Sequence, residues 1–203
     1  MADAVSYAAG RIPVCTVIGF PCGYCAPGIK AAEAEAAVRD GAAELDMVIR
    51  IGYVRDRRWA EVREEIRAVR EACAGRILKV IVETCLLTGE EKIRLCALVG
   101  EAGADYIKTS TGFSRRGATR EDVALLSAHC PPGLRVKASG GISDFAAAEE
   151  FLRLGADRLG TSRLVGICRD AVFGCRRNMG NSAGQKQWEA ADAAGEKQEK
   201  PSE

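Results

Sequence analysis

The sequence predicts an α/β fold in which six strands alternate with helices around a parallel sheet, and three observations carry that prediction. Strand-like apolar runs recur along the 203 residues at Val14 to Gly19, Glu44 to Ile49, Ile77 to Thr84, Ala104 to Thr109, Leu134 to Ala138 and Asp157 to Gly160. The gaps between them are long enough for a helix each, which is the signature of repeated βα units. Finally, Gly103-Ala104-Asp105 and Gly155-Ala156-Asp157, with the looser Gly41-Ala42-Ala43-Glu44, place a glycine just before a strand, where it can end the preceding helix in the left-handed conformation.

Taken in order, residues 1–10 show no periodicity, and the patterned part runs over residues 11–167. The gap after the second strand holds the clearest helix: Trp59, Val62, Ile66, Val69 and Cys73 recur at steps of three and four and give one apolar face. From residue 168 to 203 the chain is polar, ends GEKQEKPSE, and has too few apolar side chains to order itself, so a disordered tail is predicted there. No glycine-rich nucleotide fingerprint follows any strand, which removes the usual support for an open doubly wound sheet. Charged residues at strand ends, namely Asp46, Lys79, Glu83, Lys108 and Lys137, instead suit the interior of a (β/α)8 barrel at its C-terminal face. Such a barrel typically needs ~250 residues. About six βα units are present here, two fewer than such a barrel has, so an open sheet edge and an exposed apolar wall are expected.

Composition narrows the function classes. Charged residues make up 28% and the net charge is +1, which gives nucleic acid or an anionic membrane no purchase. Residues 1–10 lack the basic and apolar regions of a secretory signal, and no apolar run approaches the ~18 residues of a membrane span, so a cytoplasmic location is expected. Nine cysteines are an odd number scattered through apolar patterns, and the only histidine is His129. Reduced thiols are therefore expected, the Cys22/Cys25 pair is read as incidental, and no metal site is predicted.

Strand parity gathers the charged residues. Leu45, Met47 and Ile49 share one face, so Asp46 points the other way; by the same rule Lys79, Glu83, Lys108 and Lys137 point inward. One interior thereby receives three lysines and two carboxylates. Internal ion pairs that merely hold a barrel together would account for them, but so many converging charges are a costly route to stability and point to a site. A free lysine is protonated at neutral pH and a poor nucleophile. Lys108 and Lys137 lie on consecutive strands, and two ammoniums ~5 Å apart repel by ~3 kcal/mol at an effective dielectric of ~20. Lys137 is thus expected to keep Lys108 partly neutral and able to form an imine with an aldehyde. Gly112, Gly140 and Gly141 follow the two lysine strands and Gly160-Thr161-Ser162 ends the last one, an arrangement suited to a phosphate held by backbone N–H groups.

Five segments, VCTVIGFP at residues 14–21, ELDMVI at 44–49, LKVIVET at 78–84, KTSTGF at 108–113 and VKASGGI at 136–142, resemble in order and spacing the strand motifs of the deoxyribose-phosphate aldolase family, which implies that the first two βα units of the barrel are the ones missing here. The resemblance implies a class I aldolase without metal or cofactor that reversibly cleaves 2-deoxy-D-ribose 5-phosphate to D-glyceraldehyde 3-phosphate and acetaldehyde, in deoxyribose catabolism. It implies Lys108 as the Schiff-base lysine, Lys137 as the second active-site lysine, Asp46 as the proton relay, and Gly112, Gly140, Gly141 and Ser162 as the phosphate loops. Lys79, Glu83, Thr111 and Arg163 are supporting candidates, the partner is a small phosphorylated sugar, and the assembly is a homodimer. Arg163 stands where the family has a second serine. The alternative reading is a catalytically inactive homologue that keeps only the phosphate ligand or an assembly role.

Overall fold

A computed structural model describes residues 1–169. The chain divides into two units, Met1–Arg163 and Leu164–Glu203, and the whole sheet lies in the first. From residue 170 on, the predicted tail lies outside the described residues.

The elements follow as α1 (Ala2–Ala8), β1 (Cys15–Ile18), α2 (Pro27–Arg39), β2 (Glu44–Val48), α3 (Ile51–Arg55), α4 (Trp59–Ala72), β3 (Ile77–Ile81), a 3₁₀ turn (Thr84–Leu86), α5 (Gly89–Glu101), β4 (Tyr106–Lys108), α6 (Arg120–His129), β5 (Arg135–Ser139), α7 (Phe145–Arg153) and β6 (Arg158–Gly160). All six strands are parallel and pair in chain order from β1 to β6. Each predicted strand is present, shortened by a residue or more at its ends except where β5 gains Ser139. Residues 1–10, unpatterned in sequence, contain α1, whose Val5 packs against Gly41.

Alternation along the strands builds two faces. Leu45, Met47, Leu78, Val80, Ile107, Val136 and Ala138 are buried against the helix layer, each such aliphatic side chain contributing roughly 1.5–3 kcal/mol. The apolar stripe of α4, Val62, Ile66 and Val69 with Cys73 at its end, is fully buried as its spacing requires.

The Gly-Ala-acid repeat acquires a physical meaning. Gly41, Gly103 and Gly155 all have φ between +81° and +99°, and in each case the following alanine N–H reaches back to the fifth residue before it, closing the helix in a Schellman arrangement. The acid then hooks the next strand over: Asp105 accepts from Leu78 N at 2.8 Å and Asp157 from Val136 N at 2.9 Å. These junctions fix where each strand starts, and so the register that delivers side chains to the interior.

The sheet curls far enough for Arg158 on β6 to reach Glu44 on β2, with Nη1 and Oε2 2.5 Å apart. It has two edges, β1 and β6, among the described residues. β1 shows the consequence: its interior-facing Cys15 and Val17 are exposed, in contrast to the fully buried β2.

Candidate active site

The parity prediction brings four residues to one point. Asp46 Oδ2 accepts from Lys108 Nζ and from Lys137 Nζ, each at 2.7 Å, while Oδ1 accepts from Lys79 Nζ at 2.8 Å. Side-by-side registration makes this possible: Asp46 pairs with Lys79 on β3, and Lys108 pairs with Lys137 across β4 and β5. Lys79 is wholly buried and also bonds Glu44 at 2.6 Å, so it links the Arg158–Glu44 pair below to Asp46 above. Cys15 Sγ lies 3.2 Å from Asp46 Oδ1 and 3.4 Å from Lys79 Nζ.

The electrostatics follow from this crowding. Burial would raise the Asp46 carboxyl, but Lys108, Lys137 and Lys79 together outweigh it and hold the group well below the ordinary carboxylate range. Glu44 is likewise held low, because hydrogen bonds from Arg158 and Lys79 overcome its burial. Lys79 is pushed down by burial but pulled above its usual value by Asp46 and Glu44. Lys108 ends on the other side: burial pushes its amine down first, Asp46 opposes, and the Lys137 charge adds to the lowering. The sequence expectation gave Lys137 the leading part; in the folded chain the leading part belongs to desolvation. Lys108 is thus the interior lysine biased toward the neutral, nucleophilic form.

A cleft of about 450 Å³ opens on Lys108 and is lined by Thr111, Gly112, Phe113, Ser139, Gly140, Gly141, Ile142, Gly160, Thr161, Ser162 and Arg163. All the predicted loop residues therefore share one wall system with the nucleophile candidate. Gly140 and Gly141 both have φ +77°, and a Cβ on Gly140 would come 2.9 Å from Gly117 Cα. Their glycine identity serves a close backbone approach between the β4–α6 and β5–α7 loops as well as the turn itself. Ser139 Oγ is buried beside the cleft without a hydrogen-bond partner, and a Cβ on Gly160 would lie 2.3 Å from it.

Two placements depart from the sequence reading. Glu83 does not join the lysine cluster; it lies two residues past β3 and bonds Thr111, because the backbone has left strand geometry there and parity no longer applies. Its place as the second interior carboxylate is taken by Glu44, which shares the parity of Asp46 and could have been found on that ground. Lys30 and Glu65 were also missed: they form a fully buried pair at 2.5 Å between α2 and α4, from elements 35 residues apart in sequence. Cys22 and Cys25 are exposed free thiols. Among the described residues no group of three or more His, Cys, Asp or Glu is placed to hold a metal, and no helix is long and apolar enough to cross a membrane.

Comparison with known proteins gives one family. A family model described as DeoC/LacD family aldolase matches residues 12–190. A deoxyribose-phosphate aldolase of Streptococcus pyogenes serotype M4 is 51% identical over 167 residues, covering 82% of this chain and 75% of that protein. One from Clostridium botulinum strain Alaska E43 is 52% identical over 159 residues, covering 78% and 72%. Among solved structures, the aldolase QR15 superposes with a TM-score of 0.78 at 40% identity, over 84% of this chain and 80% of that one. The tetrameric deoxyribose phosphate aldolase from Aeropyrum pernix does so with a TM-score of 0.75 at 32% identity, over 83% and 73%.

Proposed function

The chain belongs to the DeoC/LacD family of aldolases, and from that premise we propose that it cleaves 2-deoxy-D-ribose 5-phosphate reversibly to D-glyceraldehyde 3-phosphate and acetaldehyde through a Schiff base on Lys108. The observation that carries the reading is the single carboxylate oxygen of Asp46 held 2.7 Å from both Lys108 and Lys137. Nucleophile, second amine and proton acceptor are then within one proton transfer of each other.

In the cleavage direction the neutral Lys108 amine attacks C1 of the open-chain sugar, and loss of water gives the imine. Asp46, directly or through Lys137, takes the proton from the C3 hydroxyl as the C2–C3 bond breaks. The electron pair of that bond passes to the iminium nitrogen and leaves an enamine on Lys108; D-glyceraldehyde 3-phosphate departs. Protonation of the enamine carbon and hydrolysis of the imine release acetaldehyde and regenerate the amine. The phosphate is placed over the Gly112, Gly140 and Gly141 amides and Ser162, with Arg163 positioned to add a charged donor. Lys79 holds Asp46 from below, anchored on Glu44. Such a reaction belongs to deoxyribose catabolism in the cytoplasm, and the assembly is proposed to be a homo-oligomer.

A catalytically inactive homologue is not favoured, since the lysine pair and its carboxylate are intact and converge. Borohydride reduction in the presence of acetaldehyde tests the reading. A two-carbon adduct on the peptide carrying Lys108 is expected; folded protein that gains no adduct, or gains it on Lys137 instead, would overturn it.

A further inference from the structure

Glu83, two residues past β3 and just before the 3₁₀ turn, adopts a left-handed conformation, φ 56° and ψ 66°, which a non-glycine residue adopts only when its surroundings over-determine it. It is also a carboxylate only 4% exposed. A left-handed backbone and a buried carboxyl group thus coincide just past β3, beside the cleft.

What holds Glu83 there is the β4–α6 loop. Its Oε2 accepts from Thr111 N at 3.2 Å and from Thr111 Oγ1 at 2.5 Å. The same Thr111 hydroxyl oxygen accepts from Phe113 N at 3.1 Å. Gly112, at φ +89°, is therefore clamped from both sides. Thr111, Gly112 and Phe113 line the cleft together with Gly140, and Phe113 rests edge-on against Phe20 with ring centroids 5.3 Å apart.

Charge alone gives no reason for a carboxylate here. Beside a site for an anion it is repulsive, and any neutral residue would serve better. An ionised carboxylate does, however, supply acceptor-only oxygens, able to take an amide N–H and a hydroxyl at once without presenting a donor of its own. From this we propose that Glu83 is the positioning residue of the phosphate subsite: it fixes the Thr111–Phe113 wall in the shape that receives the anion, despite its own unfavourable charge. The inference rests on the aldolase reading for the identity of the ligand and goes beyond it in naming what shapes the subsite.

The two possible effects of Glu83 have opposite signs, so one titration separates them. Inorganic phosphate is titrated calorimetrically into the wild-type chain, Glu83→Leu and Glu83→Gly. Leucine keeps most of the bulk but removes both acceptor oxygens; glycine removes the carboxylate while relieving the backbone strain. Both are expected to weaken phosphate binding about tenfold, in line with the sensitivity of bound geometry to small displacements. KM for 2-deoxyribose 5-phosphate should rise by a similar factor, and the change for unphosphorylated 2-deoxyribose should be several-fold smaller. Phosphate bound as tightly as, or more tightly than, by the wild type in either variant would overturn the proposal, as would equal losses on the two sugars or a wild-type chain that binds no phosphate. Glu83-dependent phosphate binding in a chain that forms no adduct with acetaldehyde would remove the aldolase reading and leave this one standing.

Discussion

Two buried lysine–carboxylate clusters sit within the first unit, and they are built to different rules. Between α2 and α4, Lys30 meets Glu65 with both side chains 0% exposed. Lys30 Nζ also donates to Gly23 O at 2.5 Å and Val48 O at 2.7 Å, so its three donors are all used, and Glu65 Oε2 accepts from Arg50 N at 2.9 Å. One cation faces one anion and nothing is left over. Inside the sheet, one Asp46 carboxylate faces three ammoniums, and two of these, Lys108 and Lys137, keep side-chain exposures of 9% and 12%. Burial pushes the amine down in both Lys30 and Lys108. A lowered lysine therefore does not by itself separate a site from a strut. Stoichiometry and a path to solvent do: the pair is balanced and sealed, as a strut requires, whereas the surplus of amines opens on a cleft, as the proposed chemistry requires.

Breaking each cluster should give opposite phenotypes. The largest effect is expected for Lys108→Met, with turnover falling by roughly 10⁴-fold or more, since removing a nucleophile disables the whole constellation. Its thermal midpoint should stay at or above that of the wild type, because the surplus of charge is relieved. Lys30→Ala should do the reverse, costing about 3–5 kcal/mol in denaturant unfolding by leaving Glu65 buried and uncompensated, with activity per folded molecule retained. The double change Lys30→Met with Glu65→Leu should recover most of that loss; a double variant as unstable as the single one would show that the pair is not a closed unit.

Asp46→Asn sharpens the other side. Turnover should fall about a hundredfold through loss of the proton acceptor. The Asp46 charge raises the Lys108 amine, so its removal should also shift the pH midpoint of borohydride trapping further below the free-lysine value of 10.5. Trapping with an unmoved midpoint would break the link between the two groups. The smallest effect concerns acid stability. The Asp46 carboxyl lies below its unfolded value of 3.8, so the folded state binds fewer protons there. The stabilisation is present above that pH and is lost as pH falls through the window below it. Thermal midpoints of wild type and Asp46→Asn should differ by a constant amount from pH 5 to pH 4 and converge only as the pH is taken further down, toward pH 2.

Legibility in the sequence followed the regularity of the backbone. Asp46, Lys79, Lys108 and Lys137 could be assigned to one interior because side chains alternate strictly wherever a strand is a strand. Glu83 was misassigned to the same cluster because at φ 56° the chain has already left the strand, and nothing in LKVIVET marks that exit. Glu44 obeys the same parity rule as Asp46, two residues on, although its place in the Gly-Ala-acid series suggests a junction residue. In the event Asp105 and Asp157 do hook a neighbouring strand, whereas Glu44 turns inward to Lys79 and Arg158. The Lys30–Glu65 pair left no trace in periodicity, since it depends on how two helices meet.

By itself the sequence determined the order of strands and helices, the glycine-closed junctions between them, and the inward face carrying three lysines. These are local consequences of alternation, helical period and glycine's access to positive φ, and each is decided within a few residues. Only the tertiary structure decided which charges meet. The curl of the sheet brings Arg158 to Glu44, the registers of β2 to β5 gather three amines on one carboxylate, and desolvation rather than a neighbouring charge leads the lowering of Lys108. Curvature and burial are sums over the whole packed unit, so no single segment of the chain encodes them.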